Sequence, residues 1–314
     1  MQQHRMESMH IAVLAGGESA EREVSLASGR AVSRALSAAG HSIEVIDPAA
    51  CDLADVGWPN FDVCFIALHG GSGEDGRIQS LLESAGVCYT GSGPAASQLA
   101  MSKSAAKERF LATGVPTAEF LILDDDDGHT RGRLCYEQIG FPLVVKPDRQ
   151  GSSIGVAFAG NEAEFWVRIR EAGRFDSRVL AERWIDGREF TVALLGRQPL
   201  PLLEIVTPRA LFDYEAKYES ALTEYRFDHG LPDAPAQGLI ATAVAAAETL
   251  DTAGLVRVDL ILDRAAQPWV LEVNTVPGLT EHSLAPKAAT HAGMSMVELC
   301  SWMIEDALLA EARR

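Results

Sequence analysis

Cysteine is scarce in this 314-residue chain: Cys51, Cys64, Cys88, Cys135 and Cys300 are five in number, widely spaced and without a CxxC pair. That pattern argues for reduced thiols and against a disulfide framework or a thiolate zinc site, and leaves mostly small core residues. No apolar run approaches the roughly eighteen residues that a membrane span needs. The opening MQQHRMESMHIAVLAGG lacks the apolar segment and cleavage site of a signal peptide, so a cytoplasmic location with no membrane partner is expected. Basic residues are outnumbered, 27 Lys and Arg against 44 Asp and Glu, giving a formal charge of −17. Nucleic-acid binders usually present a basic face, so that partner class is excluded, and a polyphosphate ligand must be small and locally neutralised. No GxGxxG follows the first strand, where AGGES precedes a helix, and the GKS ending of a Walker A loop and any internal repeat are missing too. The acidic run DDDDG (124–128) reads as a solvated loop.

What is present, 47% apolar and 23% charged residues, suffices for a sizeable core in two domains or a few packed lobes. HIAVLAGG reads as a short buried strand, HSIEVIDP as the next strand and FDVCFIALHG as another, nearly continuous in apolar residues. They alternate with the amphipathic EREVSLASGRAVSRALSAAG and with GRIQSLLESAG, which read as helices. Strands apolar throughout and separated by helices predict a parallel sheet covered on both faces, an α/β domain over residues 1–100. SKSAAKERFLATGVP then reads as a helix stopped by Gly114 and Pro116, and FPLVVKPDRQGSSIGVAFAG as two strands joined by a Gly/Ser loop. Further on come the aromatic, loop-like LFDYEAKYES and the Ala-rich helix GLIATAVAAAETLDTAG.

The last strands raise a chemical question. LVRVDLILD and PWVLEVN, joined by RAAQ, read as a hairpin with a four-residue loop. If Asp263 pairs with Pro268, then Leu260 faces Leu271, Leu262 faces Trp269 and Val258 faces Val273, so the apolar faces coincide. The same register sets Asp259 opposite Glu272 and Arg257 opposite Asn274 on the other face. Two carboxylates directly opposed repel unless a cation lies between them. Oxygen ligands without His or Cys select magnesium over zinc, and magnesium implies a phosphate substrate. A solvated face with an incidental acidic pair is the plainer reading of such a hairpin taken alone.

Lys146 ends an apolar strand ahead of a glycine-bounded loop, QGSSIG, whose amides can approach phosphate oxygens closely. An ordinary hairpin loop and surface lysines at 103 and 146 account for each piece singly. The co-occurrence of lysines, glycine loop and oxygen-rich hairpin in one acidic chain favours a site.

Taken together and in order, GGESAEREVSLASG, ALHGGSGEDG, YTGSG, VVKPDRQGSSIGV, FDYEAKY, RVDLILD and LEVNTVPGLTEHSL resemble the D-alanine–D-alanine ligase family of the ATP-grasp superfamily. The resemblance implies an α/β, three-lobed ATP-grasp fold over residues 1–100, 101–190 and 191–314, with ATP between two antiparallel sheets. It implies Lys103, Lys146 and Ser153 as ATP contacts, Glu182 with the backbone of Arg183, Trp184 and Ile185 at adenine, and Glu189 at ribose. Asp259, Glu272 and Asn274 are implied to hold two magnesium ions, which manganese replaces. The implied chemistry is attack of one D-alanine carboxylate on the γ-phosphate, then displacement of phosphate from the acylphosphate by the amine of a second D-alanine, for peptidoglycan synthesis. Glu21 is implied as anchor of an ammonium group and His69 as a substrate contact. Arg257 and the Gly278 amide are implied to stabilise the oxyanion, and Lys217, Ser283 and Leu284 to meet the second substrate. Tyr218, linked through Ser152 to Glu21, is implied on a closing loop that keeps water from the acylphosphate. A homodimer is the family's implied assembly.

The residues by themselves leave several roles open. Glu21 in a first helical turn also complements the helix dipole. His69 beyond a strand's carboxyl end is equally a satisfied hydrogen-bonder. Arg257 serves as well in a salt bridge to Asp259 or Glu272. Val276, where relatives often carry Ser, and Glu281 beside His282 depart from the family pattern and bear on acceptor recognition. Two other functions fit parts of the pattern: an ATP-grasp ligase for another D-amino acid or D-hydroxy acid, and a nucleotide-binding module without turnover.

Overall fold

The computed structural model describes residues 8–124, 128–207 and 223–312. Two compact units emerge, one of Met1–Ser97, Thr252–Val256 and Thr275–Arg314, the other of Gln98–Asp251 and Arg257–Asn274.

In the first unit, β1 (His10–Leu14), α1 (Arg22–Ala38), β2 (Ser42–Ile46), β3 (Val63–Ile66) and α2 (Arg77–Ser84) follow in turn. The three strands form a parallel sheet in the order β2, β1, β3. Ile11 to Leu14 and Val63 to Phe65 are sealed from solvent, as continuous apolar strands predict. One face packs Ala12, Leu14, Cys64 and Ile66 against Ile78 and Leu82 of α2. The other receives α1, which also packs on the C-terminal helix Met296–Glu311. Burial raises the thiol pKa of Cys64, and that of Cys300 to about 12, so both act as inert core residues. Among the described residues no helix is long and apolar enough to cross a membrane.

The second unit holds two antiparallel sheets. Its elements are α3 (Lys103–Thr113), β4 (Phe120–Asp124), α4 (Gly128–Gln138), β5 (Leu143–Pro147), β6 (Ala157–Ala159), α5 (Glu162–Ala172), β7 (Arg178–Arg183) and β8 (Gly187–Leu195). After them come β9 (Gln198–Pro199), β10 (Leu203–Val206), β11 (Glu224–Arg226), α6 (Asp233–Thr249), β12 (Leu255–Asp263) and β13 (Pro268–Asn274). The smaller sheet runs β4, β7, β5, β6. Its inward residues Leu143, Val145, Val179 and Ala181 pack with Cys135 of α4, Ile139 just beyond it and Phe165 of α5. Strand alternation therefore turns Val144, Lys146 and Glu182 to the opposite face. The larger sheet runs β11, β10, β8, β12, β13, with β9 beside β8, and α6 packs on β13 and β8.

The hairpin of β12 and β13 departs from its expected register over half its length. Arg257 pairs with Asn274, Val258 with Val273 and Asp259 with Glu272, as expected. Beyond a bulge the partners shift by one: Leu260 faces Val270 instead of Leu271, and Leu262 faces Pro268 instead of Trp269. The turn is shorter than the expected four residues. Asp263 closes on Gln267 through a 3.0 Å N–H···O bond, and Ala266 takes φ 60°. That is a three-residue loop ending in a left-handed residue, which sets a register the hydrophobic pattern alone does not reveal. The bulge lets Val270 and Val273 both reach the core, three positions apart, and turns Leu271 and Glu272 together to the other face.

Gly29 of α1 fits the sheet only without a side chain, since a methyl there would stand 2.4 Å from Cβ of Ala15. Alanine gains about 1 kcal/mol of helix propensity, but the obstacle is a Cβ with no rotamer to turn, and overpacking costs about 1–3 kcal/mol. Gly29→Ala is therefore expected to lower the thermal midpoint by a few degrees. A rise in the midpoint would contradict the close packing of α1 on β1.

Candidate functional site

A cleft of about 290 Å³ opens within the second unit between the polar faces of its two sheets. Lys103, Lys146, Ser153, Glu182, Arg183, Trp184, Ile185 and Glu189 all line it, together with Asp259 and Glu272. Apolar walls come from Val144, Ile261 and Leu271, the last placed there by the bulge. One cleft thus joins a flat apolar slot to cations and carboxylates.

The slot's floor is wired by charge. Glu182 of β7 lies diagonally across the ladder from Lys146 of β5, and the two form an ion pair. Lys107, one helical turn after Lys103 on α3, reaches the same carboxylate at 3.0 Å. It also donates to Thr117 Oγ1 at 2.5 Å, and that hydroxyl donates to the Val270 carbonyl at 2.9 Å. Burial, with Lys146 nearby, lowers the Lys107 pKa to about 8 against the opposing pull of Glu182. For Glu182, burial pushes upward, yet the two lysines outweigh it and hold the carboxyl below its ordinary value.

At the other end, Asp259 and Glu272 face each other in register. Arg257 forks onto Asp259 with bonds of 2.9 and 2.8 Å, and Thr191 donates to the same carboxylate at 2.7 Å. Of the alternatives open from sequence, the salt bridge to Asp259 is formed. Lys103 Nζ stands 3.5 Å from Glu272 and donates to the Gln150 carbonyl at 2.7 Å. Among the described residues no group of three or more His, Cys, Asp or Glu gathers at one point. The donor set is therefore two carboxylates with the Asn274 amide on the same ladder face. These are all-oxygen donors facing one way, and they fit a hard divalent cation of the magnesium type.

The Gly/Ser loop joins β5 and β6 as expected, and Ser152 and Ser153 take left-handed φ of 50° and 56°. Two consecutive non-glycine residues in that region are strained and aim successive amides to one side, as phosphate cradles do.

Sequence reading missed Asp148. Fully buried, it accepts from Ser102 Oγ at 2.8 Å and from the Ser104 amide at 2.7 Å, while its carbonyl accepts from the Lys103 amide at 3.1 Å. It therefore pins the start of α3, and Lys103 with it, to the end of β5. Lys107 and Thr191 were missed as well. The spacing of Lys107 four residues after Lys103 is a signal for a shared helix face. Nothing local marks Thr191.

The first unit holds a separate constellation. Gly70, with φ 66°, lies against Glu21, whose Oε2 would be 2.5 Å from any added methyl. Glu21 stands at the N-cap of α1 but its side chain makes no capping bond. His69 is buried, with Nδ1 at 2.9 Å from the Val276 carbonyl and Nε2 at 2.8 Å from Ser28 Oγ. A carbonyl only accepts, so in the neutral ring Nδ1 carries the hydrogen and Ser28 donates to Nε2. Ser28 in turn accepts from the Leu279 amide at 3.1 Å. His69 is thus a satisfied hydrogen-bonder that tethers the loop carrying Gly278. Gly278 abuts Ser283, whose Oγ lies 2.7 Å from an ideal Cβ at that glycine, and Ser283 and Leu284 begin the helix Leu284–His291. Val276 packs in the apolar core with Leu14 and Tyr89. Glu281 and His282 both point to solvent, 3.7 Å apart. Lys217 and Tyr218 lie outside the described residues.

Removing the buried Asp148 carboxylate leaves the Ser104 amide and the Ser102 hydroxyl without their acceptor, at about 1–3 kcal/mol. Asp148→Ala is expected to shift the urea midpoint down accordingly, and Asp148→Asn by less. An unchanged midpoint for the alanine variant would remove the anchoring role.

Comparison with known proteins agrees with this geometry. A family model described as D-ala D-ala ligase C-terminus matches residues 110–305, and one described as D-ala D-ala ligase N-terminus matches 54–92. The D-alanine–D-alanine ligase of Bordetella pertussis is 45% identical over 306 residues, covering 96% of this chain and 94% of that one. The ligase of Stutzerimonas stutzeri is 44% identical over 300 residues, covering 96% and 95%. Among solved structures, the D-alanine–D-alanine ligase of Bacillus anthracis superposes with a TM-score of 0.87 at 32% identity, over 98% of this chain and 99% of that one. The same enzyme complexed with ATP gives 0.87 at 30% identity over the same shares. With its parallel N-terminal sheet, its antiparallel sheets and these relatives along nearly its whole length, the chain belongs to the D-alanine–D-alanine ligase family and has the ATP-grasp fold.

Proposed function

We propose that the chain joins two molecules of D-alanine into D-alanyl-D-alanine while converting ATP to ADP and phosphate, in the cytoplasm, as a step of peptidoglycan precursor synthesis. The observation that carries this reading is the single cleft in which an apolar slot, Lys103, Lys146 and the opposed Asp259 and Glu272 occur together. In this reading the slot takes adenine beside Glu182 and the backbone of Arg183, Trp184 and Ile185, Glu189 takes the ribose, and Lys103, Lys146 and the Ser153 loop take the phosphates. Asp259, Glu272 and Asn274 would hold two magnesium ions, with manganese as a substitute, which neutralise phosphate oxygens when bound.

The protein's own groups supply orientation and charge. Glu21 anchors the ammonium of the first D-alanine, with His69 beside it, and that substrate's carboxylate oxygen attacks the γ-phosphorus as ADP leaves. The second D-alanine, its carboxylate met by Lys217, Ser283 and Leu284, attacks the resulting acyl carbon through its amine. The negative oxygen formed there is met by Arg257 and the Gly278 amide, and phosphate departs as the peptide bond closes. Ser152 and Tyr218 belong to the closure that excludes water from the acylphosphate. Three lobes, at 1–100, 101–190 and 191–314, and a homodimer complete the reading.

An assay coupled to ADP release, with ATP, magnesium and D-alanine, is expected to show turnover that needs all three and a product with the mass of the dipeptide. Asp259→Asn is expected to lower kcat/KM by about 10²–10³-fold, the scale for losing one group that stabilises developing charge, with an unchanged circular dichroism spectrum. No ADP release above background in the wild-type assay would sink the proposal.

A further inference from the structure

Two lysines converge on one buried carboxylate, and they differ in what else they touch. Lys107 is 1% exposed, is bonded to Thr117 and lies over the Phe120 ring at 5.4 Å. Lys146 is 6% exposed and lines the cleft, whereas Lys107 does not. The nucleotide reading asks Lys146 to serve phosphate oxygens, yet in this structure its ammonium is held by Glu182. Withdrawing the sole partner of a buried carboxylate is strongly unfavourable, because the charge left behind has neither water nor a counter-ion. A second, captive cation removes that penalty.

We propose that Lys107 is a positioning residue for nucleotide binding: it stays on Glu182 as resident counter-charge, so that Lys146 can exchange Glu182 for the phosphates of the nucleotide. The proposal rests on the nucleotide reading of the cleft. It assigns the two lysines different tasks, Lys146 as the mobile cation and Lys107 as the fixed one. The Thr117 bond and the Val270 carbonyl behind it hold Lys107 in place, and the fixed pair holds Glu182 where the slot needs its carboxylate. Without Lys107, Lys146 is bound to Glu182 and its release becomes part of the cost of binding.

Isothermal titration of the full chain with ADP and magnesium chloride tests this in four proteins: wild type, Lys107→Met, Glu182→Gln and the double variant. Lys107→Met is expected to weaken ADP binding by about tenfold or more, roughly the 1.4 kcal/mol that a factor of ten represents. In turnover it raises KM for ATP while kcat at saturating ATP and KM for D-alanine stay near wild type. With Glu182 neutral there is no charge to compensate, so the double variant is expected to bind ADP within about threefold of Glu182→Gln alone, a coupling that independent sites do not show. Should Lys107→Met fail to fold, the comparison of Glu182→Gln with the double variant, in which the buried pair is neutral, still decides. Wild-type affinity in a folded Lys107→Met overturns the proposal, as does an equal loss on adding Lys107→Met to Glu182→Gln. A wild-type chain that binds no ADP fails at the nucleotide reading itself, and this inference falls with it.

Discussion

Opposed carboxylates on neighbouring strands are the constraint to which the second unit is built. Asp259 and Glu272 face each other across one rung, and such a rung is unfavourable unless cations attend it. The fold supplies them from different directions. Arg257 comes from two residues earlier on the same strand, and Lys103 from the start of a helix. The helix start is in turn fixed by Asp148, buried at the end of the strand that carries Lys146. Each support is a charged or polar group largely shielded from water, Asp148 completely, so each needs its own partner, and the network extends through both sheets of the unit.

The β-bulge decides what the rest of the cleft is made of. With unbroken alternation Leu271 would enter the core and Glu272 alone would face outward. The extra residue sends Val270 and Val273 inward and leaves Leu271 beside Glu272. A single ladder irregularity thus sets an apolar wall against the carboxylate end, the juxtaposition that a nucleotide's flat base and charged tail require.

The first unit works through hydrogen bonds between segments distant in sequence. His69 accepts from Ser28 and donates to the Val276 carbonyl, and Ser28 also receives the Leu279 amide. Every donor and acceptor in that chain is used, so the loop bearing Gly278 is held by a satisfied network in the core. The cleft's carboxylate and lysines act through ion pairs, whereas this loop is held by hydrogen bonds, with the Glu74 carboxylate 3.9 Å from His69 Nδ1.

Much of this was legible in the residues. Continuous apolar strands between amphipathic segments specify the parallel sheet, and the alternation of RVDLILD with LEVN aligns Asp259 with Glu272, because strand periodicity is a local property. Glycine and serine between two strands announce the β5–β6 loop for the same reason. Other features were decided only by tertiary structure. The shift from Leu271 to Val270 depends on a turn ending at left-handed Ala266, which the hydrophobic pattern does not encode. The roles of Asp148, Lys107 and Ser28 depend on partners 44, 75 and 251 positions away. The sequence by itself determined which chemical groups the protein has and the faces on which its strands carry them. The packing of remote segments decided which of those groups are buried together, and burial is what turns an ordinary lysine or serine into a fixed part of a site.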